Sequence, residues 1–231
     1  MQTGREITSL PDFVYLGENT QCFMNNYDKM LADALQRFTT YDRAALARRP
    51  GVEGGEEVLS TCFLGEHVLL NPERGAITVG GRSAGFGEAL SILDWLCDGR
   101  LDAQASGTYC TVSSLPGVLV SGSGLTMNGS ALAAKIHENP EKFCDACRLM
   151  GGKAVSMGDI GYCLPIFPGV CVCLKFYFGD EEFAPQLTFL WDQNILQFVR
   201  YETVYYIAGC LLQRLQRLIY LRISSPFGLH I

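Results

Sequence analysis

Charge is scarce in this chain of 231 residues: only 18% of it is Asp, Glu, Lys or Arg, and acids outnumber bases 24 to 18. A net charge of -6 argues against a general nucleic-acid binder, whose affinity comes from basic groups neutralising phosphates. Histidine is scarcer still, with three residues, and His67, His137 and His230 show no HExxH or other ligand spacing. No GxSxG elbow offers a serine nucleophile. No apolar run reaches the roughly 20 residues that a bilayer span needs; the longest, 203–213, stops at Arg214. The start, MQTGREITSLPDF, lacks the basic and apolar segments of a secretory signal, so the expected location is cytoplasmic. There, ten cysteines should be mainly reduced thiols.

The apolar content, 48%, is enough for one substantial core, so one domain over residues 1–231 is expected. Between residues 22 and 41, Phe23, Tyr27, Met30, Leu31, Ala34, Leu35 and Phe38 recur at helical spacing. Asp42 caps a second short helix that Pro50-Gly51 stops. VLSTCFL, HVLLN and AITV between residues 57 and 79 predict a three-stranded meander. A helix follows over 86–97, with Phe86, Leu90, Leu93 and Cys97 inward and Glu88, Ser91 and Asp98 outward. TYCTVSSLPG reads as a strand, 128–137 as a short helix, and Asn139-Pro140-Glu141 as the start of another that Gly151-Gly152 ends. Residues 162–167 and 170–178 flank the turn pair Pro168-Gly169 and form a hairpin, to which 187–191 adds a strand. A long helix over 201–223 closes the chain. Strands and helices come in blocks, which predicts an α+β fold: a mainly antiparallel sheet with helices packed on it, a helical N-terminal segment and a long C-terminal helix.

Chemistry-bearing residues concentrate between 144 and 192. Cys144 and Cys147 form a CxxC and Cys171 and Cys173 a CxC, four thiols that are candidates for zinc or an iron-sulfur cluster. The CxxC falls inside a helix and the CxC in a strand, so packed reduced thiols are the expectation and no cofactor is predicted. Across a two-residue turn, Cys171 and Cys173 would share a face with Lys175 and Tyr177 and with Leu164 and Ile166. Asp159, Asp180, Glu181, Glu182 and Asp192 are the acidic candidates for a divalent cation. Against that stand a turn role for Asp180 and a cap role for Asp192. The loop GGRSAGFG, residues 80–87, enters a helix and has amides for an anion but lacks the Lys-Ser/Thr of a P-loop; backbone geometry is its simpler explanation. Arg214, Arg217 and Arg222 read as a solvated helix face.

PEKF at 140, Gly151-Gly152, Gly158-Asp159, FPGV at 167, FGDEEFAP at 178, FLWD at 189 and Glu202 resemble an uncharacterised domain-of-unknown-function family of clostridia and other anaerobes. The resemblance extends through Tyr27-Asp28, ALARRPGV, the 90–96 helix and Leu115-Pro116-Gly117, covering about residues 25–215. Ser113-Ser114 departs from the aromatic-arginine pair expected in relatives. Some relatives are fused to a four-cysteine iron-sulfur domain, which implies a setting in anaerobic redox or one-carbon metabolism; this chain has only Cys22 in its first sixty residues. The expected function is binding of a small molecule or protein partner, with no nucleic acid, no membrane and no reaction required. A divalent-metal-assisted enzyme built on Asp180 and Asp192 and a purely structural or oligomerising module are the alternatives.

Overall fold

The computed structural model describes residues 26–55, 57–118 and 130–221. The first turn expected for the N-terminal helix, most of the 117–129 connector, Arg222 and the end of the last helix lie outside the described residues.

Two helices open the described chain, α1 (Asn26–Thr40) and α2 (Arg43–Ala47). Asp42 accepts a hydrogen bond from the Ala44 amide and so caps α2 as its position predicts. The first sheet is a continuous antiparallel meander, β1 (Glu53–Gly54), β2 (Leu59–Phe63), β3 (Glu66–Asn71), β4 (Ala76–Val79) and β5 (Arg82–Ser83), each strand beside its sequence neighbour. Leu59, Phe63, Val68, Leu70 and Val79 alternate inward along it.

Helix α3 (Phe86–Leu93) runs on into a π-helical turn, Asp94–Asp98. Ser91 and Asp94 are buried, whereas Phe86 and Leu90 lie at the margin, so the outward assignment of Ser91 is corrected. Ser91 Oγ donates to the Gly87 carbonyl and is thereby satisfied.

The second sheet has the order β6 (Tyr109–Cys110), β10 (Gln186–Asp192), β9 (Val170–Tyr177), β8 (Ile160–Phe167), β7 (Lys153–Ala154), and neighbouring strands run antiparallel. The expected strand at TYCTVSSLPG shrinks to two residues, because Val112–Ser114 turn into a 3-10 helix. Helices α4 (Ser130–Glu138), α5 (Pro140–Leu149) and α6 (Ile195–Phe198) precede the 21-residue α7 (Tyr201–Leu221). Val204, Ile207, Ala208, Leu211, Leu215 and Ile219 form the buried face of α7. The buried side chains of both sheets join the helices in one hydrophobic cluster. Architecture and class are those of an α+β fold.

The β8–β9 hairpin corrects one register. A regular two-residue turn with Phe167 opposite Val170 would set Ile166 against Cys171. Instead the ladder shifts between Pro165 and Phe167, so Pro165 faces Cys171 and Cys163 faces Cys173. A one-residue shift sends every upstream side chain to the other face. Proline at 165 suits the irregularity, since it has no amide to give a regular ladder. The face shared with Cys171 and Cys173 therefore holds Cys163 and Pro165, not Leu164 and Ile166.

Candidate functional site

The acidic candidates are dispersed. Asp192, fully buried at the end of β10, accepts from the Ser106 amide and hydroxyl, the Gly107 amide and the Asn194 amide. Asp180 accepts from the Glu182 and Phe183 amides, and these hold its carboxyl below the ordinary Asp range. Asp159 accepts from the Phe178 amide. Asp180 sits before β10 and Asp192 at its far end, so six strand steps of about 3.3 Å already place roughly 20 Å between them. Asp180, Glu181 and Glu182 line an open depression with His137, whose Nδ1 accepts from the Gly179 amide. Among the described residues, no three His, Cys, Asp or Glu side chains form a group able to hold a metal ion.

The thiols are also divided. Cys144 and Cys147 belong to α5, whose Phe143 packs edge-on against Tyr162 and near Phe176. Tyr162 lies opposite Leu174, and Cys163 opposite Cys173, so by strand alternation α5 and the Cys163-Cys171-Cys173 trio occupy opposite faces of the sheet. Burial pushes the Cys147 thiol well above the ordinary range. Cys173 is not a reduced packing thiol: it is joined to Cys163 in a cross-strand disulfide, with Cα atoms 4.0 Å apart. Cys171 stays free, and burial raises its pKa against the opposing pull of Lys153.

What the structure does assemble is a cleft between the meander, α3 and α7, with a volume of about 590 Å³. Such a volume is within the range of small-molecule sites. Its charged lining comes from three places in the sequence: Glu66 at the start of β3, Arg82 and Glu88 from β5 and α3, and Arg214 and Arg217 from α7. Gly87 permits the close approach of α3 to α7, because a Cβ there would lie 3.2 Å from Cys210 Sγ. Phe86 meets Tyr206 edge-on, with ring centroids 5.5 Å apart, and gives the cleft an aromatic wall.

The charges are arranged around Glu66. Arg217 Nη2 is 3.0 Å from Glu66 Oε1, Arg82 Nη2 is 3.6 Å from Oε2, and Arg214 makes an ion contact with Oε1. Arg82 is bidentate to Glu88 at 2.6 and 2.7 Å, and Glu88 also accepts from the Gly85 amide at 2.8 Å. Burial alone would raise the Glu88 pKa, but Arg82 and the Gly85 amide outweigh it and hold the carboxyl below its ordinary value. Arg214 is only 13% exposed in its side chain, and its Nε and Nη1 have no hydrogen-bond partner despite the contact with Glu66. Burial first, and Arg217 second, bring its pKa down to about 10. Three guanidiniums thus face two carboxylates, a surplus of one positive charge in an acidic protein.

This corrects the assignment of Arg214 to a solvated face. It also revises the GGRSAGFG loop: the Gly85 amide is occupied by Glu88, and the loop's contribution to the cleft is the Arg82 side chain. No local spacing announces the cluster, because its members are 151 residues apart at the extremes. A second charged group locks α7 in place. Asp94 accepts from the Arg200 amide and the Thr203 hydroxyl, and Asp98 pairs with Arg37 and Arg200. Tyr41 donates to Asp98 at 2.6 Å, and that hydrogen bond, with burial, raises its pKa to about 12.

No helix among the described residues is long and apolar enough to cross a membrane. Neither the curated proteins nor the solved structures contain a match to the chain. A family model does match, over residues 42–214, which takes in the meander, both sheets' central strands and the cleft's charged residues except Arg217. The chain belongs to the domain-of-unknown-function family DUF3786.

Proposed function

We propose that this domain binds a small molecule bearing an acidic group in the cleft between the meander, α3 and α7, and that binding is its task without a reaction of its own. The observation that carries the reading is the charge imbalance: Arg82, Arg214 and Arg217 against Glu66 and Glu88, beside the Phe86 and Tyr206 rings. Partly desolvated guanidiniums in excess favour an anionic partner, and planar forks suit carboxylate or phosphate oxygens. The aromatic wall favours a ligand with an apolar body. A role as a cytoplasmic accessory to anaerobic redox or one-carbon metabolism belongs to the same proposal and rests on the family resemblance alone.

Calorimetric titration of the purified chain with phenyl phosphate and with inorganic phosphate tests it. Phenyl phosphate is expected to bind more tightly than inorganic phosphate. Arg217→Gln, at a half-exposed position, should weaken it about tenfold, the loss of one charge-assisted hydrogen bond. Equal affinity in wild type and Arg217→Gln, with both proteins folded, overturns the reading.

A further inference from the structure

A second crevice, of about 390 Å³, lies on another side of the molecule, where the end of α2, the β8–β9 turn, the π-helical turn and the 100–105 loop meet. Gly51 makes the junction possible: its φ is +79°, and a Cβ would lie 2.1 Å from Pro168 Cβ. The walls are mostly apolar, with Trp95, Phe198, Pro50 and Pro168 among them. Trp95 is held by stacking on Phe167, with centroids 4.7 Å apart and planes within 2°.

Into this wall is set Arg49, only 5% exposed. Its Nη2 donates to the Gly99 carbonyl, and its Cζ lies 5.5 Å from the centre of the Trp95 ring. Its Nε is buried and has no partner, and no carboxylate among the described residues pairs with it. The other arginine whose side chain is mostly buried, Arg214, has an acid, Glu66. Arg100, which also lines the crevice, is neutralised by Asp102 at 2.8 Å. An arginine cannot escape by losing its proton under ordinary conditions, and an ion removed from water without a counter-ion is strongly disfavoured. Desolvation accordingly pushes the Arg49 pKa down. One carbonyl and one ring face compensate part of the charge; the remainder calls for an anion from outside the chain.

We infer that the crevice is a second binding site, distinct from the cleft on α7, for a monoanionic carboxylate carried on a flat apolar body, with Arg49 as the group that receives the carboxylate. A single uncompensated guanidinium matches one negative charge, and a dianion would leave a buried charge of its own. The Trp95 and Phe198 rings and the two prolines match an aromatic or similarly flat body.

Sodium benzoate is the probe, and benzamide its neutral counterpart of the same shape. The chain has two tryptophans, so Trp191→Phe leaves Trp95 as the reporter in the intact chain. Benzoate should produce a saturable change in Trp95 fluorescence with an affinity at least about tenfold above that of benzamide, and Arg49→Gln should abolish that preference. Gln104→Glu, at an exposed position on the crevice rim, should weaken benzoate roughly threefold without touching Arg49 or the core. This variant keeps the test decisive where Arg49→Gln fails to fold. Equal affinities for benzoate and benzamide, no saturable response to benzoate, or benzoate binding unchanged in Gln104→Glu would each overturn the inference.

Discussion

The acidic end of the β9–β10 hairpin and the basic cleft on α7 are both charged, and both lie beside aromatic rings. They use charge in opposite ways. At the hairpin, Asp159 Oδ2 and Asp180 Oδ1 accept from backbone amides, and at the far end of β10 both Asp192 oxygens do the same. In the cleft, long side chains from β3, β5, α3 and α7 meet one another, and one positive charge is left over. Short carboxylates close local turns, whereas long guanidiniums drawn from distant segments leave capacity for a partner. Density of charged residues in the sequence is therefore a poor guide to a site; the uncompensated remainder is a better one.

The sharpest way to break this contrast is at Asp192. Removing its carboxylate strands the amides of Ser106, Gly107 and Asn194 in a part-buried place, and each unsatisfied group costs about 1–3 kcal/mol. Asp192→Ala should lose about 3–5 kcal/mol of stability in denaturant unfolding. Asp180→Ala, at an exposed turn, should cost far less stability than Asp192→Ala and leave phenyl phosphate binding untouched. A folded Asp180→Ala protein that no longer binds phenyl phosphate would put the site at the hairpin after all.

A smaller effect is expected within the second sheet, at the strand pair beside β10. The Cys163–Cys173 disulfide closes a loop of ten residues in sequence separation, one that the hairpin hydrogen bonds already hold. Cross-links of that span are worth up to about 3 kcal/mol by loop entropy, so reduction should cost about 1–3 kcal/mol. Thermal unfolding with and without a phosphine reductant, compared with Cys163→Ser, measures it. If Cys163→Ser and wild type unfold identically under non-reducing conditions, the disulfide contributes nothing to stability.

The sequence disclosed the parts of this fold that rest on local chemistry. The Asp42 cap, the helix started by Pro140, the meander and the Pro168-Gly169 hairpin all follow from residues a few positions apart. Periodicity found the buried face of α7 at Val204, Ala208, Leu211, Leu215 and Ile219. Two features escaped because a single extra residue governs them. The shift at Pro165 reversed the faces of the β8 strand and hid the Cys163–Cys173 pair, and the helix over 86–97 ends in a π-helical turn that periodicity does not foresee. The binding residues escaped for a different reason. Arg49, Arg82 and Arg214 look like ordinary surface charges until α2, the meander and α7 are folded together, and no spacing announces which acid, if any, each one meets. The hairpin drew notice because its acids are neighbours in sequence, and that nearness is what lets the backbone consume them.

The mildest test of the contrast concerns Glu88. Its folded pKa is held below the ordinary value near 4.5 by Arg82 and the Gly85 amide, against the opposing influence of burial. A depressed carboxylate contributes stability that is present above its unfolded pKa and is lost as pH falls through the lower, folded pKa. Wild type should lose this contribution on acidification below about pH 4.5, and Glu88→Gln, which has no such proton to take up, should lack that part of the decline. The difference between the two proteins should stay within about 1 kcal/mol, since Arg82 is partly solvated and screened. Protonation of Glu88 also raises the surplus positive charge of the cleft from one to two, so phenyl phosphate should bind wild type more tightly as Glu88 titrates, after allowance for the phosphate's own proton. An affinity that follows the phosphate proton alone, with no difference between wild type and Glu88→Gln, would mean that Glu88 does not balance the charge the ligand meets.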